Sequence, residues 1–180
     1  MKALSVLLLL LLLLLAVVTS RIAALDDAKL VEMFKQTFGA QCPSGWERFG
    51  RYCYLVSRYT GTRDEARSHC RAQGGDLVKI NSAEENEFVL NLLQQRLPSS
   101  RQAWIDLKWD SSVKQFLWND HSVPVYKNWA PNEPSGKGNE PCGNMWIGYN
   151  ILVRASGSWN DRPCAYIHSF PCRTVCKRLP

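Results

Sequence analysis

The residues of this chain best suited to chemistry are oxygen donors, gathered in two short runs. The first, PNEPSGKGNEPC from Pro131 to Cys142, holds the carboxylates of Glu133 and Glu140, the hydroxyl of Ser135 and three prolines. The second, Trp159-Asn160-Asp161, adds an amide and a carboxylate between Cys142 and Cys164. A hard cation such as Ca²⁺ takes about six to eight oxygens, and prolines and glycines hold such donors on a preset backbone. Glu133, Ser135, Glu140, Asn160 and Asp161 offer five side-chain donors, and the backbone carbonyl of Asp161 a sixth. The positions left over suit two vicinal hydroxyls of a sugar. Three acids outweigh a divalent charge without crowding it.

Those two runs need a scaffold, and its elements are legible upstream. Residues 42–56, CPSGWERFGRYCYLV, read as two short aromatic-rich strands around Phe49-Gly50-Arg51. Thr62-Arg-Asp-Glu65 is a capping box that opens a helix, and Gly74-Gly75 should stop it. Ser82-Ala-Glu-Glu85 is a second box, before a helix with Phe88, Val89, Leu92, Leu93 and Leu97 on one face and Pro98 at its end. Asp76–Ile80, Trp104–Leu107 and Phe116–Trp118 are strand candidates. Two early helices, followed by a stretch rich in aromatics, Gly and Pro, indicate an α+β domain with little regular structure in its second half. Seven tryptophans are a heavy load for one domain, and most should be core.

The chain has 180 residues, enough for one domain with short extras. Lys2, an apolar run from Val6 to Val18, then Thr19 and Ser20 read as a secretory signal peptide over residues 1–20. The run falls short of the roughly 18 apolar residues of a membrane span, so none is expected. Residues 21–41 form an arm or short neck, with Asp26 or Asp27 capping a helix through Leu30, Met33, Phe34 and Phe38. Export makes the seven cysteines a disulfide framework, one thiol being left over. The net charge of +6 comes from basic residues spread along the chain, which points to a solvated surface, with acidic polysaccharide as the sharper alternative. No nucleic-acid motif is present, and nucleic acid is not an expected partner. His69, His121 and His168 are the only histidines, none in a Gly-x-Ser-x-Gly or His-Glu-x-x-His context, so the chain is not read as an enzyme.

Several of these motifs, in this order, resemble the long form of the C-type lectin-like domain family. Cys42-Pro-Ser-Gly-Trp46 with Cys53-Tyr54 is similar to its opening hairpin, and Trp104-Ile-Asp-Leu107 to its WIGL segment, with Asp106 in place of glycine. Asn128-Trp129, Glu133-Pro134-Ser135 (for the family's EPN), Trp159-Asn160-Asp161 and the late cysteines follow in order. The resemblance covers about residues 42–173 and leaves 174–180 as a C-terminal tail. It implies an α+β fold of two helices, small antiparallel sheets and a long irregular calcium-binding loop. It implies disulfides Cys42–Cys53, Cys70–Cys172 and Cys142–Cys164, leaving Cys176 for an interchain bridge in a homodimer or larger oligomer, or as a free or capped thiol.

The same resemblance makes Glu133, Ser135, Glu140, Asn160 and Asp161 the ligands of one Ca²⁺ and, through it, of a carbohydrate, with Pro134 in cis turning its neighbours toward the ion. Ser135 stands where the family has Asn, so mannose/fucose-type and galactose-type recognition both stay open. Trp146 or Tyr149 could stack on a sugar, and both also read as core. The segment Trp118-Asn119-Asp120 repeats the later motif but precedes the loop, and it is read as structural. The family's auxiliary calcium site would fall on Trp109, Val113, Gly136 and Pro141, which supply no acid. The expectation is a secreted, extracellular calcium-dependent lectin; the alternative is a domain of this fold that binds protein or mineral without sugar.

Overall fold

The computed structural model describes residues 13–18, 29, 31, 41–148, 156–166 and 173–180. The chain divides into two units, Met1–Gln41 and Cys42–Pro180. In the first, residues 13–18 are helical and exposed, as are Lys29 and Val31; the rest of the expected leader and neck lies outside the described residues. Among the described residues no helix is long and apolar enough to cross a membrane.

The second unit is built on one eight-stranded sheet with two helices. Its elements are β1 (Glu47–Phe49), β2 (Tyr52–Ser57), α1 (Arg63–Ala72), β3 (Asp76–Leu77), α2 (Ala83–Arg96), β4 (Gln102–Asp110), β5 (Gln115–Trp118), β6 (Cys142–Trp146), β7 (Trp159–Arg162) and β8 (Arg173–Arg178). The main path runs β1-β2-β8-β4-β6-β7, with β3 on β8 and β5 on β4. Among the named strands of the described residues, β4–β8 is the one parallel pairing, through Ala103–Arg173 and Trp104–Thr174, and an isolated parallel bridge joins Trp129 to Trp159. The α+β expectation holds.

Local chemistry starts and stops both helices. Thr62 accepts from Glu65 N while the Glu65 carboxylate accepts from Thr62 N at 2.8 Å, so the box that opens α1 is complete. Gly74, at φ +79°, supplies the left-handed residue just beyond the helix. Ser82 caps α2 by accepting from Glu85 N, but the Glu85 carboxylate turns back to Asn81 N and to the Tyr54 hydroxyl instead. Val89, Leu92 and Leu93 of α2 bury against Ile105, Met145 and Trp159 of the sheet. Full burial of such a side chain contributes about 1.5–3 kcal/mol. On α1, Ala66 and Cys70 pack with Leu77, Trp104 and Cys176 in a second cluster. Trp104, Trp118 and Trp159 are buried and the other four tryptophans half-buried.

Three expectations are corrected here. Residues 173–178 are not a tail but a central strand: β8 lies between β2 and β4, and Val175 and Cys176 are buried. Cys70 pairs with Cys176, not with Cys172 (Cα–Cα 5.2 Å), because Cys176 sits on β8 opposite Leu77 and beneath α1. Cys176 is therefore no interchain thiol; the cysteine left over is Cys172, which lies outside the described residues. Among the described residues the second half also holds more regular structure than expected, five strands, with residues 119–141 the long stretch between β5 and β6 that has no named element. The pairs Cys42–Cys53 and Cys142–Cys164 are both formed.

Candidate functional site

The two oxygen-rich runs meet at the edge of the sheet. Strand β7 pairs with β6 through Asn144–Asn160 and Gly143–Asp161, and Cys142–Cys164 ties the far ends of the pair together. Trp159 anchors β7 from below. Its indole N–H donates to Asn86 Oδ1 on α2 at 2.8 Å, and Asn86 Nδ2 donates to the Gly157 carbonyl at 2.9 Å. Asn128 Nδ2 donates to the same carbonyl, and Trp159 N bonds Asn128 O, which joins the loop ahead of Pro131 to the start of β7.

Asp161 then organises the loop above it. Its carboxylate is fully buried and accepts three backbone N–H groups: Ser135 at 3.0 Å, Gly136 at 2.9 Å and Lys137 at 2.8 Å. The Glu133-Pro134 peptide is cis. Glu133 Oε2 accepts from Ser135 N at 2.8 Å, so one amide serves both acids. Burial, and next the Asp161 carboxylate beside it, hold the Glu133 carboxyl above the usual carboxylate range. The Glu140 side chain lies directly over Gly136, where any Cβ would collide with it. Glu133, Ser135, Gly136, Glu140 and Asp161 are thus brought into one neighbourhood.

Asn160 reaches the same end of the sheet by a different route. It donates to the Asp161 carbonyl at 2.6 Å and to Asn144 Oδ1 at 3.4 Å, and Asn144 in turn donates to Gln102 Oε1 at 2.8 Å. A buried polar row therefore runs from β4 through β6 to β7. Nothing in the sequence singled out Gln102, Asn144 or Asn86, since a buried amide leaves no local spacing to read.

The donors are right in kind for a cation, yet they are not drawn together as a cluster. Among the described residues no three His, Cys, Asp or Glu side chains converge as a ready metal group. Asp161 spends its oxygens on loop amides, and Asn160 turns its N–H₂ toward the Asp161 carbonyl. No Lys, Arg or His forms an ion pair with Glu133, Glu140 or Asp161 among the described residues. Asp161 is buried and Glu133 and Glu140 are half-buried; carboxylates so placed without cationic partners are costly, and a divalent ion is the natural counter-charge. In donor type and charge the residues fit that ion.

Other candidates are sorted by the same contacts. The earlier Trp118-Asn119-Asp120 belongs to ion pairs away from the loop. Asn119 bonds Asp106 and accepts from Arg63 Nη2, and Asp120 accepts from Lys79 and Ser122. The Trp109 ring packs on Phe116 and its backbone N–H donates to the Pro141 carbonyl at 2.7 Å, while Val113 is exposed in the β4–β5 turn. His69 stacks on Tyr59 and hydrogen-bonds Ser57. Tyr149 and His168 lie outside the described residues. Trp146 is half-buried, with the Arg162 guanidinium over its ring.

Comparison with known proteins agrees with this fold. The Lectin C-type domain family matches residues 59–177. A perlucin-like protein of Mytilus galloprovincialis is 30% identical over 131 residues, covering 72% of this chain and 80% of that protein. The human low affinity immunoglobulin epsilon Fc receptor is 35% identical over 124 residues, or 68% of this chain, which spans only 35% of the receptor. Among solved structures, the cow C-type carbohydrate-recognition domain of CD23, crystallised in the presence of GlcNAc2Man3 oligosaccharide, has a TM-score of 0.63 at 33% identity, covering 78% and 97% of the two chains. The C-type lectin CEL-I from Cucumaria echinata has a TM-score of 0.65 at 28% identity, covering 77% and 97%. With its fold, its three disulfides and this match, the chain belongs to the C-type lectin domain family.

Proposed function

We propose that this protein is a secreted, calcium-dependent carbohydrate-binding protein whose site is formed by Glu133, Ser135, Glu140, Asn160 and Asp161. The observation that carries the reading is the pairing of Glu133 and Asp161 across one shared amide, with Glu140 close by and no ion pair to any of the three among the described residues. A solved relative crystallised in the presence of an oligosaccharide supports sugar as the ligand class. Three disulfides in so small a domain support an oxidising, extracellular destination.

Bound Ca²⁺ would supply positive charge and open coordination positions for two neighbouring sugar hydroxyls. The chain's own residues do the rest. Asp161 contributes a buried charge and Glu133 a half-buried one, and Glu140 closes over Gly136 from the other end of the loop. Asn160, steadied by Asn144 and Gln102, presents its amide beside the Asp161 carbonyl. Ser135 offers a short hydroxyl where a longer amide would reach further, which leaves a weaker neutral ligand and more room for the sugar.

The test is a glycan array read with calcium and again with chelator, on the wild type and on Glu133→Gln and Asp161→Ala. Signal that needs calcium and is lost in both variants is expected. Binding that is equal in calcium and chelator, or retained by both variants, overturns the proposal.

A further inference from the structure

On β7, side chains two residues apart share a face, so Arg162 lies on the same side of the strand as Asn160, about 6.6 Å along it. Arg162 is held there in an unusual setting. Its guanidinium carbon is 5.4 Å from the ring centre of Trp146 on β6 and 5.2 Å from that of Tyr166. Tyr166 folds back by a turn bonded to the Pro163 carbonyl at 2.9 Å, and Cys142–Cys164 pins that turn to β6. Of the seven tryptophans, only Trp146 belongs to neither core cluster.

The charge of Arg162 meets no counter-charge among the described residues. It forms no ion pair among the described residues, and its Nε is buried without a hydrogen-bond partner. Other basic side chains show the contrast, for Arg67, Lys79 and Lys177 each pair with an acid, namely Asp76, Asp120 and Glu85. A guanidinium fixed by flanking rings, with its terminal N–H groups uncommitted, is preset for two parallel bonds to a planar or tetrahedral oxyanion. Aromatic rings beside it suit the apolar face of a sugar.

We infer that Arg162, framed by Trp146 and Tyr166, is a subsite for the sulfate or carboxylate of an acidic saccharide whose hydroxyls are held at the neighbouring site. This rests on the calcium-dependent reading above. That site sets which hydroxyls are gripped, and Arg162 sets the preference for a negatively charged neighbour. Lys137, exposed and bonded through its N–H to Asp161, adds a second positive charge on the loop side.

The experiment measures dissociation constants by calorimetry in calcium for matched sugars: sulfated against unsulfated N-acetylgalactosamine oligosaccharides, and uronate-containing against carboxyl-reduced ones. The two pairs show which oxyanion is read. Wild type is expected to favour the acidic member of at least one pair about tenfold, the worth of one charge-assisted contact. Arg162→Met, which keeps the aliphatic packing, should bring that ratio close to one. Arg162→Lys should keep part of it, and Lys114→Met, an exposed turn residue with the same charge loss, should keep all of it.

A ratio near one in wild type, or one unchanged in Arg162→Met, overturns this inference while calcium-dependent binding of the neutral sugars stands. An acidic preference that persists in chelator but disappears in Arg162→Met supports the subsite and overturns the calcium reading. An equal fall of the ratio in Lys114→Met assigns the preference to general charge and overturns the subsite.

Discussion

Glu133 and Asp161 share one donor: the backbone N–H of Ser135 lies 2.8 Å from Glu133 Oε2 and 3.0 Å from Asp161 Oδ1. Two acids 28 positions apart in the chain are thereby fixed side by side, one on the loop and one on the edge strand. The amides of Gly136 and Lys137 complete the hold on Asp161. The loop is organised by an anion, not by a core of its own.

This arrangement makes Gly136 a sensitive position. A Cβ there would land on the Glu140 side chain. Gly136→Ala is expected to swing Glu140 away and weaken calcium binding about tenfold or more in a calcium titration, with the thermal midpoint nearly unchanged. An unchanged calcium affinity would show that Glu140 does not act from this position.

Asn86 should matter to both stability and site. Asn86→Ala leaves the Trp159 indole N–H unpaired inside the core and removes one of two donors to Gly157 O. Stranding a buried donor costs about 1–3 kcal/mol. Urea unfolding should read that loss. Calcium affinity should fall as well, because Trp159 directly precedes Asn160 and Asp161.

The disulfide between Cys70 and Cys176 closes a long loop, with a sequence separation of 106. Chain-entropy reasoning puts its contribution at about 4–5 kcal/mol. Cys176→Ser should therefore lower the unfolding midpoint sharply. Cys172→Ser should leave it close to wild type, and peptide mapping of the native protein should recover the Cys70–Cys176 peptide.

Stability should also depend on pH through Asp106. Burial pushes its carboxyl up to about 7, against the pull of Arg63 Nη2 at 3.2 Å and the Asn119 N–H at 3.1 Å. A carboxyl in the unfolded chain titrates near 3.9. Between about pH 4 and pH 7 the folded state therefore binds the extra proton, and stability falls as pH rises through that window. Melting curves taken across this range should decline for wild type and be flatter for Asp106→Asn; parallel curves would place the proton elsewhere.

Much of this protein follows from local chemistry, and that part is readable in one dimension. The Thr62 and Ser82 caps, the breaks at Gly74 and Pro98, and the donor types in Glu133, Glu140, Asn160 and Asp161 are set by neighbours within a few residues. The Trp118-Asn119-Asp120 copy could be set aside because its position in the chain differs.

Other features depend on which distant segments meet, and only the tertiary structure decided them. Residues 173–178 look like a polar, basic end, yet β8 sits mid-sheet because β2, β3 and β4 all find their hydrogen-bond partners on it. That burial carries Cys176 beneath α1, and so it selects the partner of Cys70. Asn86 under Trp159, three loop amides on Asp161, and Arg162 beside Trp146 and Tyr166 are likewise contacts between separate elements. Sequence determined which side chains carry oxygen donors; packing decided which of them stand together, because burial and pairing are properties of the assembled sheet.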